Sequence, residues 1–193
     1  MPNINSAAPE LQVSQWLNTL RTITLADLRG RVVVLHAFQM LCPGCVSHGL
    51  PQAAAIHETF PAADVAVIGI HSVFEHHNAM TPVALEAFLY EYRIRFPVAV
   101  DRPSTTGNIP HTMEAFNMRG TPTLIILDRQ GRIRLNHFGR MDDLRVGATI
   151  GQLISETAID PNSNQYSEQS ITGRIGCDDE KCVISENMEQ TNP

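Results

Sequence analysis

The sequence has little of what marks the specialised protein classes. Only 6% of its 193 residues are aromatic and 18% charged, and it has 12 glycines, 12 prolines and four cysteines. That profile excludes collagen, coiled coil and wholesale disorder. No apolar run approaches the roughly 18 residues of a membrane span, and the first 15 residues have neither the basic nor the apolar region of a secretory signal. The expectation is a soluble chain in the cytoplasm with no membrane partner. No basic run offers phosphates a footprint, and Lys and Arg number 14 against 20 Asp and Glu, so nucleic acid is not an expected partner. Four cysteines are too few for a secreted disulfide scaffold, and a domain of this size hides enough surface to build a core without one.

What is present is an α/β pattern. Short β-rich runs alternate with helical stretches, which predicts a largely parallel sheet flanked by helices. Residues 32–38 are nearly all apolar, as a strand covered on both faces must be. Residues 65–71 and 98–100 read as further strands. Residues 123–127 and 132–138 form a hairpin around Asp128-Arg129-Gln130-Gly131, whose glycine supplies a positive φ. After Cys45 the apolar positions follow helical spacing with Pro51 inside the run, so one bent helix is expected there. Thr81-Pro82 opens another helix, residues 110–116 a short one, and Asp142 or Asp143 caps the last, which ends near residue 156. The domain division expected is an N-terminal extension over 1–19, a body over 20–157 and an acidic, flexible tail over 158–193. The tail holds seven acids against Arg174 and Lys181, and therefore most of the net charge of −6.

The cysteines fall in two close pairs, Cys42/Cys45 and Cys177/Cys182. Cys42-Pro43-Gly44-Cys45 follows a buried strand and opens a helix. A cysteine at a helix N-terminus has free N–H groups and the positive dipole end to stabilise its thiolate, while a second one turn further in can attack a mixed disulfide. The same C-x2-C spacing also suits half of a zinc site.

The resemblance rests on more than the dithiol. Thr24-Leu25-Ala26-Asp27-Leu28-Arg29-Gly30-Arg31 precedes the Val-rich strand, CxxC follows it, and Gly120-Thr121-Pro122-Thr123 leads into a strand with Gly131-Arg132-Ile133 beyond. Over residues 20–156 the chain resembles the thioredoxin-like, TlpA-type thiol-disulfide oxidoreductases of the wider AhpC/TSA (redoxin, peroxiredoxin-like) superfamily. The resemblance implies a thioredoxin-like fold with the extra strand-helix insert of that branch. It also implies thiol-disulfide exchange with no cofactor, a cis-proline at Pro122 facing the dithiol, and Thr121 as the residue whose backbone pairs with substrate. The implied partners are a protein or small-molecule disulfide or thiol and a separate reductant.

The sequence departs from the pattern at three places. Leu41 stands where thioredoxins have Trp, Pro43-Gly44 reverses their Gly-Pro, and His36 stands where they carry a buried Asp. His36 is a candidate proton relay for the second cysteine, because imidazole titrates near neutrality; a core histidine bonded to backbone is the structural alternative. The Pro-x-x-x-Thr/Ser-x-x-Cys motif of peroxiredoxins is absent, since Gln39 and Leu35 occupy its hydroxyl and proline positions. A thiol peroxidase of the redoxin group remains an alternative.

His71, Glu75, His76 and His77 follow the second parallel strand and are expected at the sheet edge that carries Cys42. With Pro43 and Gly44 they form a possible wall of the active site. A Cys/His metal-binding or metallochaperone module using Cys42, Cys45, His71, His76 and His77 is the alternative from another functional class. Cys177 and Cys182 form a possible relay pair, since four intervening residues suffice to close a small disulfide loop that exchanges with Cys42/Cys45.

Overall fold

The computed structural model describes residues 4–156, 176–178 and 181–183. They belong to two units, Met1–Ala158 and Ile159–Pro193. In the first, a six-stranded sheet has the order β1-β4-β3-β2-β5-β6. Its members are β1 (Val13–Leu17), β2 (Val32–Phe38), β3 (Val65–His71), β4 (Val98–Asp101), β5 (Thr123–Leu127) and β6 (Ile133–Phe138). Strands β2, β3 and β4 are mutually parallel, while β1, β5 and β6 each run antiparallel to their neighbours. The sheet is mixed around a parallel centre, as the α/β pattern predicts.

The periodicity of β2 builds both core layers. Val32, Val34 and Phe38 pack on one face against α1 (Leu50–Thr59), α2 (Pro82–Glu91) and α4 (Asp143–Ser155), through Leu50, Ala53, Ile56, Leu85, Leu89, Val146, Ile150 and Leu153. Val33, Leu35 and Ala37 face the other layer, with Leu25, Leu28, Met113 of α3 (His111–Ala115) and Phe116. Every residue of β2 is buried, which explains its unbroken apolar run.

The helix ends agree with their capping residues. The Thr81 hydroxyl accepts from Ala84 N with Pro82 in the first turn, and Asp142 accepts from Leu144 N and Arg145 N. At the hairpin, Asp128 accepts from Gln130 N and Arg132 N while Gly131 takes φ +71°. The hydrogen-bonded side chain and the positive-φ glycine together fix the turn.

Two expectations are corrected. Residues 13–17 are not outside the body: β1 lies in the sheet, paired from Val13↔Asp101 to Leu17↔Val98. A bulge between Val13 and Gln15 puts Val13 and Trp16 into one core layer and Leu17 into the other. This breaks the alternation by which a strand is read. The helix after Cys45 is not simply bent at Pro51. Residues Cys45–Gly49 form a π turn, with Leu50 N donating to Cys45 O, before α1 begins. The five-residue ring lies directly upstream of a proline that has no N–H to donate.

In the second unit, β7 (Gly176–Asp178) and β8 (Lys181–Val183) pair antiparallel, with Cys177 opposite Cys182. The expected flexibility of 158–193 otherwise falls on residues outside those described, as do the side chains of these two cysteines.

Candidate active site

The carboxyl ends of β2 and β3 share one edge of the sheet, and β2 delivers the chain from Phe38 through Gln39 and Met40 to the dithiol. Cys42 and Cys45 are joined as a disulfide. Cys42 is half-buried and Cys45 fully buried. Cys42 lies at the helix N-terminus: its carbonyl accepts from Cys45 N and Val46 N, and Cys45 N also donates to Cys42 Sγ at 3.2 Å. That donor and the helix dipole favour a thiolate on Cys42 once the pair is reduced. The accessible sulfur is therefore suited to meet substrate and the buried one to resolve it.

Facing them is the turn between Phe116 and β5. The Thr121-Pro122 peptide is cis, in agreement with the implied cis-proline. The Thr121 carbonyl oxygen lies 3.5 Å from Cys42 Sγ. Gly44 packs on this proline, since a β-carbon at position 44 would stand 3.4 Å from Pro122 Cδ. Pro122 is anchored from behind, where its carbonyl accepts from Gly139 N at 2.8 Å and Gly139 takes φ +92°. Exposed apolar groups stand on both sides. Leu41 precedes the dithiol, and the Phe138 ring lies against Gly120 with the Arg119 guanidinium 5.4 Å over its centroid.

His36 is only 2% exposed and lies beneath this assembly. A β-carbon at position 49 would fall on His36 Cε1 and within 3.3 Å of Pro122 Cβ, so Gly49 allows the π turn to close over both residues. Among the described residues His36 Nδ1 has no hydrogen-bond partner, and burial pushes its pKa down to about 4. The imidazole is thus neutral across the physiological range, where the sequence alone suggested titration near neutrality. A cavity of about 300 Å³ runs beside it, lined among others by Ser47, His48, Gly49, Pro122 and Arg140.

The histidine-rich loop is at the expected edge but differs in detail. His71 is 1% exposed, its ring 5.3 Å from that of Phe38, and burial brings its pKa to about 4. It is a core residue and not a wall of the site, because β3 continues through it, register-paired with Phe38. Glu75, His76 and His77 are exposed, with His76 at φ +50°. Among the described residues no group of three or more His, Cys, Asp or Glu side chains is gathered so as to hold a metal ion. Pro43 is exposed at the dithiol turn.

Sequence reasoning missed two residues. Gly49, in the middle of a helical run where glycine is disfavoured, carried a signal for close approach. Gln39 is 1% exposed and bonds to both loops that flank the dithiol. Its signal was a polar residue at the end of a buried strand.

The AhpC/TSA family model matches residues 4–136. The chain belongs to the AhpC/TSA family. Two solved structures extend the comparison, each with a TM-score of 0.77. One is a thioredoxin-like superfamily protein, 56% identical, covering 78% of this chain and 97% of that chain. The other is a thiol-disulfide isomerase from Corynebacterium glutamicum, 52% identical, covering 79% and 99%. NHL repeat-containing protein 2 from Gallus gallus is 33% identical over 134 residues, which is 68% of this chain but 17% of that protein. The chain thus spans only that small share of this relative's length. This AhpC/TSA family member has the thioredoxin-like fold, with β3, α2, β4 and α3 lying in sequence between the dithiol helix and the cis-proline strand β5.

Proposed function

We propose that the protein is a thiol-disulfide oxidoreductase in which Cys42 is the attacking thiolate and Cys45 the resolving one. The observation that carries this reading is the Cys42–Cys45 disulfide at a helix N-terminus, one sulfur accessible and one buried, facing the cis Thr121-Pro122 turn. In the reducing direction the Cys42 thiolate attacks one sulfur of a substrate disulfide, forming a mixed disulfide and releasing the first substrate thiolate. Cys45 then loses its proton and attacks Cys42 Sγ, releasing the second. Two electrons pass from the protein dithiol to the substrate, and a separate thiol reductant regenerates the dithiol.

The substrate is a protein or small-molecule thiol or disulfide. Thr121 and Pro122 shape its groove, and His36 takes the Cys45 proton. Burial holds the His36 pKa at about 4, so the imidazole is neutral and its ring nitrogen free to accept that proton. The C. glutamicum isomerase, 52% identical across nearly its whole length, supports the same reaction class. A relay through Cys177 and Cys182 belongs to the proposal, and their register as directly opposite residues supports it: opposed Cα atoms in such a ladder stand about 4.5–5.5 Å apart, within disulfide reach.

The test is equilibration in defined glutathione ratios, acid quench, alkylation and mapping of all four cysteines by mass spectrometry, with metal content measured on the same sample. Reversible Cys42–Cys45 formation together with reduction of insulin disulfides is the expected result. A pair that resists both oxidation and reduction, with bound zinc or copper, would overturn the enzyme reading. Unchanged turnover of the Cys177→Ser/Cys182→Ser variant with every reductant would remove the relay.

A further inference from the structure

The carboxyl edge of the sheet holds a series of buried polar contacts that the exchange reaction does not itself require. Asp101, at the end of β4, accepts from the Ser72 hydroxyl at 2.8 Å and from Thr112 N and Met113 N at 2.7 and 2.9 Å. Ser72 N in turn donates to Phe38 O at 3.1 Å, joining the loop after β3 to the end of β2. The next residue of β2's extension is Gln39. Its side-chain Oε1 accepts from Phe74 N at 3.4 Å, and its Nε2 donates to Thr121 Oγ1 at 3.5 Å. Its backbone carbonyl accepts from Cys42 N at 3.2 Å. One residue thereby touches three separate pieces of chain: the turn that carries the dithiol, the loop after β3, and the cis-proline turn.

A carboxamide held at 1% exposure is costly unless its polar atoms are bonded, and here both ends of the amide have partners. An apolar residue of similar size would fill the same space without tying the loops together. The polar contacts therefore point to a positional task more than to packing.

We propose that Gln39 is a positioning residue that fixes Thr121 relative to Cys42 and thereby sets the register in which an extended substrate segment lies along the cis-proline turn. This rests on the oxidoreductase reading and names its substrate class: a polypeptide disulfide held through its backbone, as distinct from a small disulfide that needs only the accessible sulfur. Gln39 does not touch the reacting atoms. Its effect passes through Thr121, whose carbonyl oxygen lies 3.5 Å from Cys42 Sγ.

The test compares pre-reduced wild-type protein with Gln39→Met, Thr121→Val and the double variant in single-turnover reduction of insulin and of hydroxyethyl disulfide. Gln39→Met keeps the volume and removes the amide, and Gln39→Ala serves as a second variant should the first not fold. Gln39→Met is expected to raise the half-saturating insulin concentration about fivefold, the worth of a typical hydrogen bond. Its limiting rate with insulin and its rate with hydroxyethyl disulfide are expected to stay within about twofold of wild type. The double variant is expected to be no worse than Thr121→Val, because both substitutions cut the same link. Equal slowing of both substrates, or additive effects of the two substitutions, would overturn the positioning role. If wild type reduces neither substrate, the oxidoreductase reading fails first and this one with it. If wild type is active and Gln39→Met is unchanged on insulin, only the role of Gln39 falls.

Discussion

His36 and His71 are on neighbouring parallel strands and belong to the same face of the sheet. They are 2% and 1% exposed, each has one ring nitrogen without a partner among the described residues, and burial pushes both to a pKa of about 4. What differs is the neighbourhood. His36 lies under Gly49 and Pro122 beside a cavity of about 300 Å³, whereas His71 packs against the Phe38 ring. Burial and a shifted pKa alone therefore do not mark a functional histidine. What sets His36 apart is its place under Gly49 and the cis-proline turn.

The sharpest break of this comparison comes from the cysteines that define the His36 side. Cys42→Ser is expected to reduce exchange to the protein-free background. Cys45→Ser is expected to stop at a mixed disulfide that non-reducing gels and mass spectrometry detect. The reverse assignment, with Cys45→Ser inactive and Cys42→Ser trapping substrate, would move the attack to the buried sulfur.

The second test asks where the two histidines behave alike. Unfolded, each has the ordinary pKa of 6.5, so on acidification the unfolded chain takes up protons that the folded chain refuses until about pH 4. The stabilisation is complete above 6.5 and is lost as pH falls from 6.5 toward 4, by up to about 3 kcal/mol per histidine. Urea titrations across that window are expected to show the decline. His36→Leu and His71→Leu are each expected to flatten it by a similar amount. A slope unchanged in either variant would mean that the histidine charges without unfolding.

Their roles in exchange should then separate them. His36→Leu is expected to slow the resolving step about 10²-fold, the usual span for a lost proton acceptor beginning there. The loss should shrink as pH rises and hydroxide takes the Cys45 proton. His71→Leu is expected to leave exchange per folded molecule within about twofold. Stopped-flow decay of the mixed disulfide over a pH series checks both, and equal slowing by the two substitutions would erase the distinction drawn here.

The parts of the molecule legible in the sequence were those with local causes. The apolar run of β2, the Thr81-Pro82 and Asp142 caps, the Asp128 to Gly131 turn and the CxxC at a strand-helix junction each carry their signal within a few residues. The cis state of Thr121-Pro122 entered only through family resemblance, because an X-Pro bond has no local marker for it. β1 was hidden by its bulge. The inward placement of His71 was hidden because three histidines close together look alike as letters, whereas the strand ends between the first and the others. Gln39 and Gly49 matter through partners 82 and 73 positions away, Thr121 and Pro122, and no window along the chain brings those together.

Two glycines give the finest comparison, one beside each histidine's surroundings. A β-carbon at Gly69 of β3 would stand 3.0 Å from Phe96 and 3.2 Å from both Phe38 and Val98, side chains locked in a packed core. Gly69→Ala is therefore expected to cost about 1–3 kcal/mol of stability with no change in exchange per folded molecule. A β-carbon at Gly49 meets the His36 ring instead. Alanine in a helical run returns up to about 1 kcal/mol relative to glycine, and the cavity beside His36 gives the ring somewhere to move. These two gains offset part of a contact closer than any at Gly69, so Gly49→Ala is also expected to lose stability, and exchange is what tells the two variants apart. Any movement of the ring displaces it from the Pro122 turn, so exchange is expected to slow. Chemical denaturation paired with exchange kinetics on the same preparations separates the cases. If Gly49→Ala lost stability as Gly69→Ala does and kept full exchange, His36 would be a core histidine like His71, and the contrast between the two strands would be one of position alone.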